Sequence, residues 1–162
     1  MSRTTAVLIA VVVAGVASVS PLSLEAQTGS TAGSSQRIAA CALLPKDEVK
    51  RHLPWLAVFD QFPIEEEPVG ASGSSCNYPS VFIQVLPFAP RTIEMARQKG
   101  ELETVAGVGD EAYFYNNGNQ YAELYVRVGK HLLTVQADAN ETVEAVRPGA
   151  VSLAMALVIK LR

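Results

Sequence analysis

Every second residue is apolar from Ala122 to Val128, and the alternation resumes at Leu133, Val135 and Ala137 after Gly129-Lys130. A period of two sends successive side chains to opposite faces of a strand, so two strands are expected, Tyr121 to Val128 and His131 to Ala137. A two-residue turn at Gly129-Lys130 sets Val126 opposite Leu133 and Leu124 opposite Val135 on an apolar face. It sets Tyr125 opposite Thr134 and Glu123 opposite Gln136 on a polar one.

The same alternation places Val81, Ile83 and Val85 on one face of a strand from Cys76 to Leu86, with Phe82, Gln84 and Leu86 on the other. Val58 to Ile64 and Glu111 to Tyr115 are shorter strand candidates. Asn116-Asn117-Gly118-Asn119 is a hairpin signal, since Asn and Gly accept the positive φ of such turns. Glu65-Glu66-Glu67-Pro68 and Gly70 to Ser75 read as an acidic and then Gly/Ser-rich loop.

Helical spacing appears in three places. Leu43 to Leu56 carries Leu44, Val49 and Leu53 on one face, with Pro45 suited to a first turn and Pro54 as a stop. Arg91 to Lys99 places Ile93 and Ala96 together and ends at Gly100. Val151 to Leu161 is apolar enough at Leu153, Ala154, Leu157, Val158 and Leu161 to lie across a sheet. Three helices with four to five strands predict a two-layer α+β domain, an antiparallel sheet with helices packed on one face.

Ahead of these elements, Arg3 is followed by the uncharged apolar run Ala6 to Val19 and then by polar residues, the order of a secretory signal peptide. The run falls short of the roughly 20 residues of a membrane span. Residues 1–26 are therefore read as a signal peptide cleaved after Ala26, with Ser18 as an alternative site, and no stable membrane insertion is expected after cleavage. Gln27 to Gln36, rich in Ser, Thr and Gly, reads as a flexible tether, and residues 37–162 as a single α+β domain. The expected compartment is the periplasm or the exterior.

With 49% apolar and 18% charged residues the composition is globular, and losing Arg3 and Glu25 with the leader leaves the net charge at −3. No basic cluster exists to neutralise phosphates, which argues against nucleic acid as a partner. Cys41 and Cys76 are the only cysteines. An even number in an exported chain points to a disulfide between them.

Ile38-Ala39-Ala40-Cys41 also has the form of a lipoprotein acylation box. Such a box directly follows the apolar run, whereas about 18 residues, Ser20 to Arg37, intervene here. Cys41, Cys76, His52 and His131 lack the short paired spacing of structural zinc sites, so no metal is expected.

Gly107-Val108-Gly109-Asp110-Glu111-Ala112 fits the dinucleotide pattern Gly-x-Gly-x-x-Gly/Ala in letters only. That motif needs a strand before it and a helix after it, and here a strand follows, so it reads as a turn. No cofactor is expected. Gly70-Ala71-Ser72-Gly73-Ser74 misses the last glycine of a nucleophile elbow, and neither His52 nor His131 sits in a triad context. Glu65 to Glu67 lack the alternating ligands of a calcium loop. The remaining candidate is the polar sheet face, Tyr121, Glu123, Tyr125, Arg127, Thr134 and Gln136, in a region rich in tyrosine, whose apolar body and polar tip suit contact surfaces.

Cys41-Ala42-Leu43-Leu44, Val49, Ser75-Cys76-Asn77-Tyr78, Gly107 to Phe114 and Val126 to Lys130 together resemble a bacterial secreted domain family of unknown function, best represented among actinobacterial envelope lipoproteins. The resemblance runs from Cys41 to Leu161 and implies an extracytoplasmic α+β domain with bridged cysteines. It brings no functional residues. The expected function is a non-enzymatic binding or interaction module of the cell envelope, its partner an envelope protein or a small ligand. The alternative is an envelope enzyme, or an inhibitor of one, with an unfamiliar site.

Overall fold

The computed structural model describes residues 37–116, 121–138 and 142–162. The expected signal peptide, the tether and the hairpin residues Asn117-Gly118-Asn119 lie outside them. The described residues belong to one compact unit, Ser34–Arg162.

Seven strands form a single antiparallel sheet in the order β1-β2-β3-β7-β6-β5-β4, rather than the expected four to five. They are β1 Glu65–Val69, β2 Gly73–Tyr78, β3 Val81–Pro87, β4 Glu101–Thr104, β5 Glu111–Asn116, β6 Tyr121–Val128 and β7 His131–Asp138. The β6–β7 register is the one the Gly129-Lys130 turn dictates: Leu124 faces Val135, Val126 faces Leu133, and Tyr125 faces Thr134.

The expected single strand from Cys76 to Leu86 is a hairpin, β2 and β3, turned at Pro79-Ser80, where Ser80 has φ 62°. Cys76 and Tyr78 are even-numbered and Val81, Ile83 and Val85 odd, yet all are buried on one face. One uninterrupted strand would send the two sets to opposite faces, so the chain has to reverse between them.

Val58 to Ile64 is not a strand: Pro54–Phe59 forms a 3₁₀ turn. The strand comes later, as β1, over the glutamates and Pro68 that read as loop. An exposed edge strand tolerates proline and charge because one row of its backbone groups has no neighbour.

Leu43 to Leu56 likewise divides into α1 Ala40–Leu43, α2 Lys46–His52 and the 3₁₀ turn, with Leu44 and Pro45 extended between α1 and α2. The last helix, α4 Val143–Leu161, begins a full two turns before the expected Val151. Thr142 caps it, its Oγ1 accepting the Ala145 N–H at 3.2 Å. It lies across β6 and β7 and buries Val146, Ala150, Leu153, Ala154, Leu157 and Val158.

Val49 and Leu53 join the same core. On this side Tyr78 donates its hydroxyl to the Leu44 carbonyl at 2.8 Å, and Ser74 Oγ accepts the Ala40 N–H at 2.8 Å. Burial pushes the Tyr78 hydroxyl up to about 12, with Glu66 adding to it, so it stays a donor. The Cys41–Cys76 disulfide, with Cα atoms 4.9 Å apart, completes the attachment of α1 to β2.

The helices do not all share one face. β3 and β4 run parallel, separated by three strands, and α3 Pro90–Lys99 joins them. A crossover between parallel strands has a preferred hand, which commits its helix to one side of the sheet. Arg97 of α3 stacks over Tyr113 and Gly100 abuts the Tyr115 ring. Both tyrosines are on the face away from α4, where Ile93 and Ala96 are buried apart from the main core.

Candidate binding face

The second face of the sheet is built from the residues between those that enter the core. Its central cross-strand row begins Glu67, Ser75, Gln84 and Thr134 on β1, β2, β3 and β7. It continues through Tyr125 and Tyr113 to Thr104 on β6, β5 and β4. The adjacent row runs Glu65, Asn77, Phe82, Gln136, Glu123 and Tyr115, then Leu102.

All six candidate residues are on this face, in different environments. Tyr121, Glu123, Tyr125 and Gln136 are half-buried, while Thr134 is 6% exposed beneath its larger neighbours. Tyr125 donates its hydroxyl to Glu123 Oε1 at 2.8 Å, and its ring lies 6.5 Å from that of Tyr115, tilted by 54°. Burial, reinforced by the Glu123 carboxylate, pushes the Tyr125 hydroxyl well above the usual phenol range.

Arg127 is committed within the fold. Its Nη1 donates to Glu111 Oε1 at 2.8 Å and its guanidinium lies 4.8 Å from the centre of the Phe88 ring, leaving Nε buried with no partner. Ser75, Asn77, Phe82 and Gln84 share this face and were not singled out from the sequence. The signal that places them was available, the change from even to odd burial across Pro79-Ser80.

Among the described residues, shallow recesses flank the strands. One of about 260 Å³ is bordered by Phe62, Pro63, Glu65, Asn77, Tyr78 and Pro79, at the β1 end of the second row. Another of about 190 Å³ lies between α3 and β5, lined by Phe88, Ile93, Arg97, Glu111 and Tyr113 among others. A third, about 330 Å³, brings His131 beside Asp110, Lys130 and Arg162, and its lining holds no hydroxyl or thiol. There Asp110 accepts the Gly129 N–H at 2.6 Å and stands 3.7 Å from Arg162.

His52 contacts Ser152 of α4, Nδ1 to Oγ 2.8 Å, and does not line the recess that holds His131. Among the described residues no three His, Cys, Asp or Glu side chains converge as a metal cluster. Gly107 and Gly109 have φ of 80° and 63° in the turn entering β5. A Cβ at Gly109 would come 2.5 Å from the Arg127 carbonyl, so this glycine serves a close backbone approach.

Fold and face together define an α+β domain with a helix-covered core side and an opposite side only partly roofed by α3. Comparison with family models, curated proteins and solved structures finds no match to this chain.

Proposed function

We propose that the chain is an exported, non-enzymatic binding module of the cell envelope that contacts its partner through the second face of the sheet. The observation that carries this reading is the pair of cross-strand rows in which Asn77, Gln84, Tyr113, Glu123, Tyr125 and Gln136 stand half-buried and outside the core. Large rigid amphipathic side chains beside adaptable polar ones are the chemistry of contact surfaces.

The disulfide supports an oxidising compartment, as do the apolar run after Arg3 and the resemblance to actinobacterial envelope lipoproteins. Among the described residues no helix is long and apolar enough to cross a membrane. Bridged to Cys76, the Cys41 sulfur is not available for the thioether of a lipoprotein. N-terminal sequencing of exported protein should find a start between Val19 and Gln27; a chain starting at acylated Cys41 would overturn this part of the reading.

The face itself is tested by replacing Tyr121 and Gln136 with Ala. Both are only half-buried, so stability should fall by about 1 kcal/mol or less. Recovery of partners from envelope extract on the immobilised chain should drop sharply. Unchanged recovery would place the contact elsewhere.

A further inference from the structure

The half of the face roofed by α3 shows which chemistry its aromatic and acidic groups accept. There Arg97 stacks 5.1 Å from the centre of Tyr113, while Arg127 lies over Phe88 and pairs with Glu111. The Tyr113 hydroxyl donates to the other oxygen of Glu111 at 3.3 Å. Two guanidinium groups supplied by the chain itself thus satisfy one carboxylate and two rings.

The other half repeats the acceptors without the cations. Glu65 and Glu67 on β1 and Glu123 on β6 point to this side, beside Phe82, Tyr121 and Tyr125. The five strands β1, β2, β3, β7 and β6 place no basic side chain on this face other than Arg127, already paired. Among the described residues the ion pairs join Lys50 to Asp47 and Asp60, Arg127 to Glu111, Arg147 to Glu103 and Arg162 to Asp110. Glu65, Glu67 and Glu123 enter none of them.

We infer that the open half of this face docks a basic polypeptide segment, whose arginine or lysine side chains take the places that Arg97 and Arg127 fill on the roofed half. The inference rests on the binding reading above and adds the partner's chemistry. Arginine suits it best, because a planar guanidinium stacks on an aromatic ring while its edge bonds a carboxylate. Glu65 and Glu67 on β1 are separated from Glu123 on β6 by β2, β3 and β7, roughly 19 Å at about 4.8 Å per strand, a span that suits an extended segment crossing the strands rather than a single compact cation.

The test is an NMR titration of the isotope-labelled full chain with a synthetic peptide of alternating arginine and serine. The same peptide with glutamate for arginine, and a neutral oligosaccharide, are the comparison probes. The basic peptide should shift the amides of Glu67, Gln84, Glu123 and Gln136, and its binding should weaken with added salt. Replacing Glu67 and Glu123 with Gln should weaken it by roughly fivefold or more, while Glu101→Gln on the far edge leaves it unchanged.

Equal binding by the double variant, or shifts confined to another surface, overturns the inference. If the acidic peptide or the oligosaccharide takes this face instead, the basic partner is wrong and the binding reading survives. If ultracentrifugation shows self-association that Tyr121→Ala abolishes, the occupant is a second copy and the inference fails. If no probe moves the face and Tyr121 with Gln136 also prove dispensable for partner recovery, both readings fall.

Discussion

Arg147 illustrates how one side chain closes an edge of the core. It leaves α4 over the Phe114 ring, 4.5 Å from its centre, and reaches Glu103 on β4 with both terminal nitrogens, at 2.7 and 2.5 Å. Arg147→Ala removes a stacked stem as well as a charge, and should cost about 1 kcal/mol in a urea melt. The hydrogen bond from Arg147 holds the Glu103 carboxyl below its ordinary 4.5. At the start of β7, burial, with Lys130 adding to it, holds His131 below its ordinary 6.5.

Both shifts make acid destabilising, in different windows. Below 6.5 the unfolded chain takes a proton on His131 that the folded chain resists, so this contribution is whole above 6.5 and is lost as pH falls from there through the depressed folded value. The Glu103 contribution persists above 4.5 and disappears only as pH falls further, through its depressed value. Melts between neutral and acid pH should lose slope in the upper window for His131→Gln and in the lower one for Glu103→Gln. An unaltered slope near 6.5 in His131→Gln would refute the histidine assignment.

Between elements, the contact of α2 with α4 depends on Gly149. A Cβ there would come 2.7 Å from the His52 carbonyl oxygen and 2.6 Å from Leu53 Cδ2. Helix propensity favours Gly149→Ala by roughly 0.5 to 1 kcal/mol, whereas overpacking a tight contact costs about 1 to 3 kcal/mol. The packing effect wins, so the variant should be less stable by about 1 kcal/mol or more; a stabilised variant would show that α2 shifts freely. α4 runs through Pro148-Gly149, ahead of the expected start at Val151. Pro148-Gly149 has the look of a helix break, and only the neighbouring helix gives the glycine a reason to lie inside one.

For the whole molecule the bridge between Cys41 and Cys76 spans 35 residues of chain and holds α1 against β2. Closing a loop of that length should stabilise the fold by about 3 to 4 kcal/mol in the chain-entropy model. Cys41→Ser/Cys76→Ser should lower the chemical midpoint accordingly, and intact mass before and after reduction should register the two thiols released. A midpoint unmoved by the double substitution would mean that Tyr78, Ser74 and the core hold α1 unaided.

The β6–β7 hairpin and its two faces were legible because alternation and a two-residue turn are local properties, and together they decide which side chains lie opposite one another. The cysteine pair was legible from its even number and the leader-like apolar run, and α3 from its spacing and Gly100. β1 was not, since an edge strand is made by the hydrogen bonds β2 offers and needs no pattern of its own. Nor was the side of the sheet that α3 occupies, which depends on β4 lying beyond β5 at the far edge. The candidate face was therefore half readable: the sequence by itself determined the alternation that separates Tyr125 from Val126, because side-chain direction follows the local backbone. Only the tertiary structure decided that α3 roofs Tyr113 and that Glu67 and Gln84 extend the open part, because long-range strand order sets which rows join and what covers them.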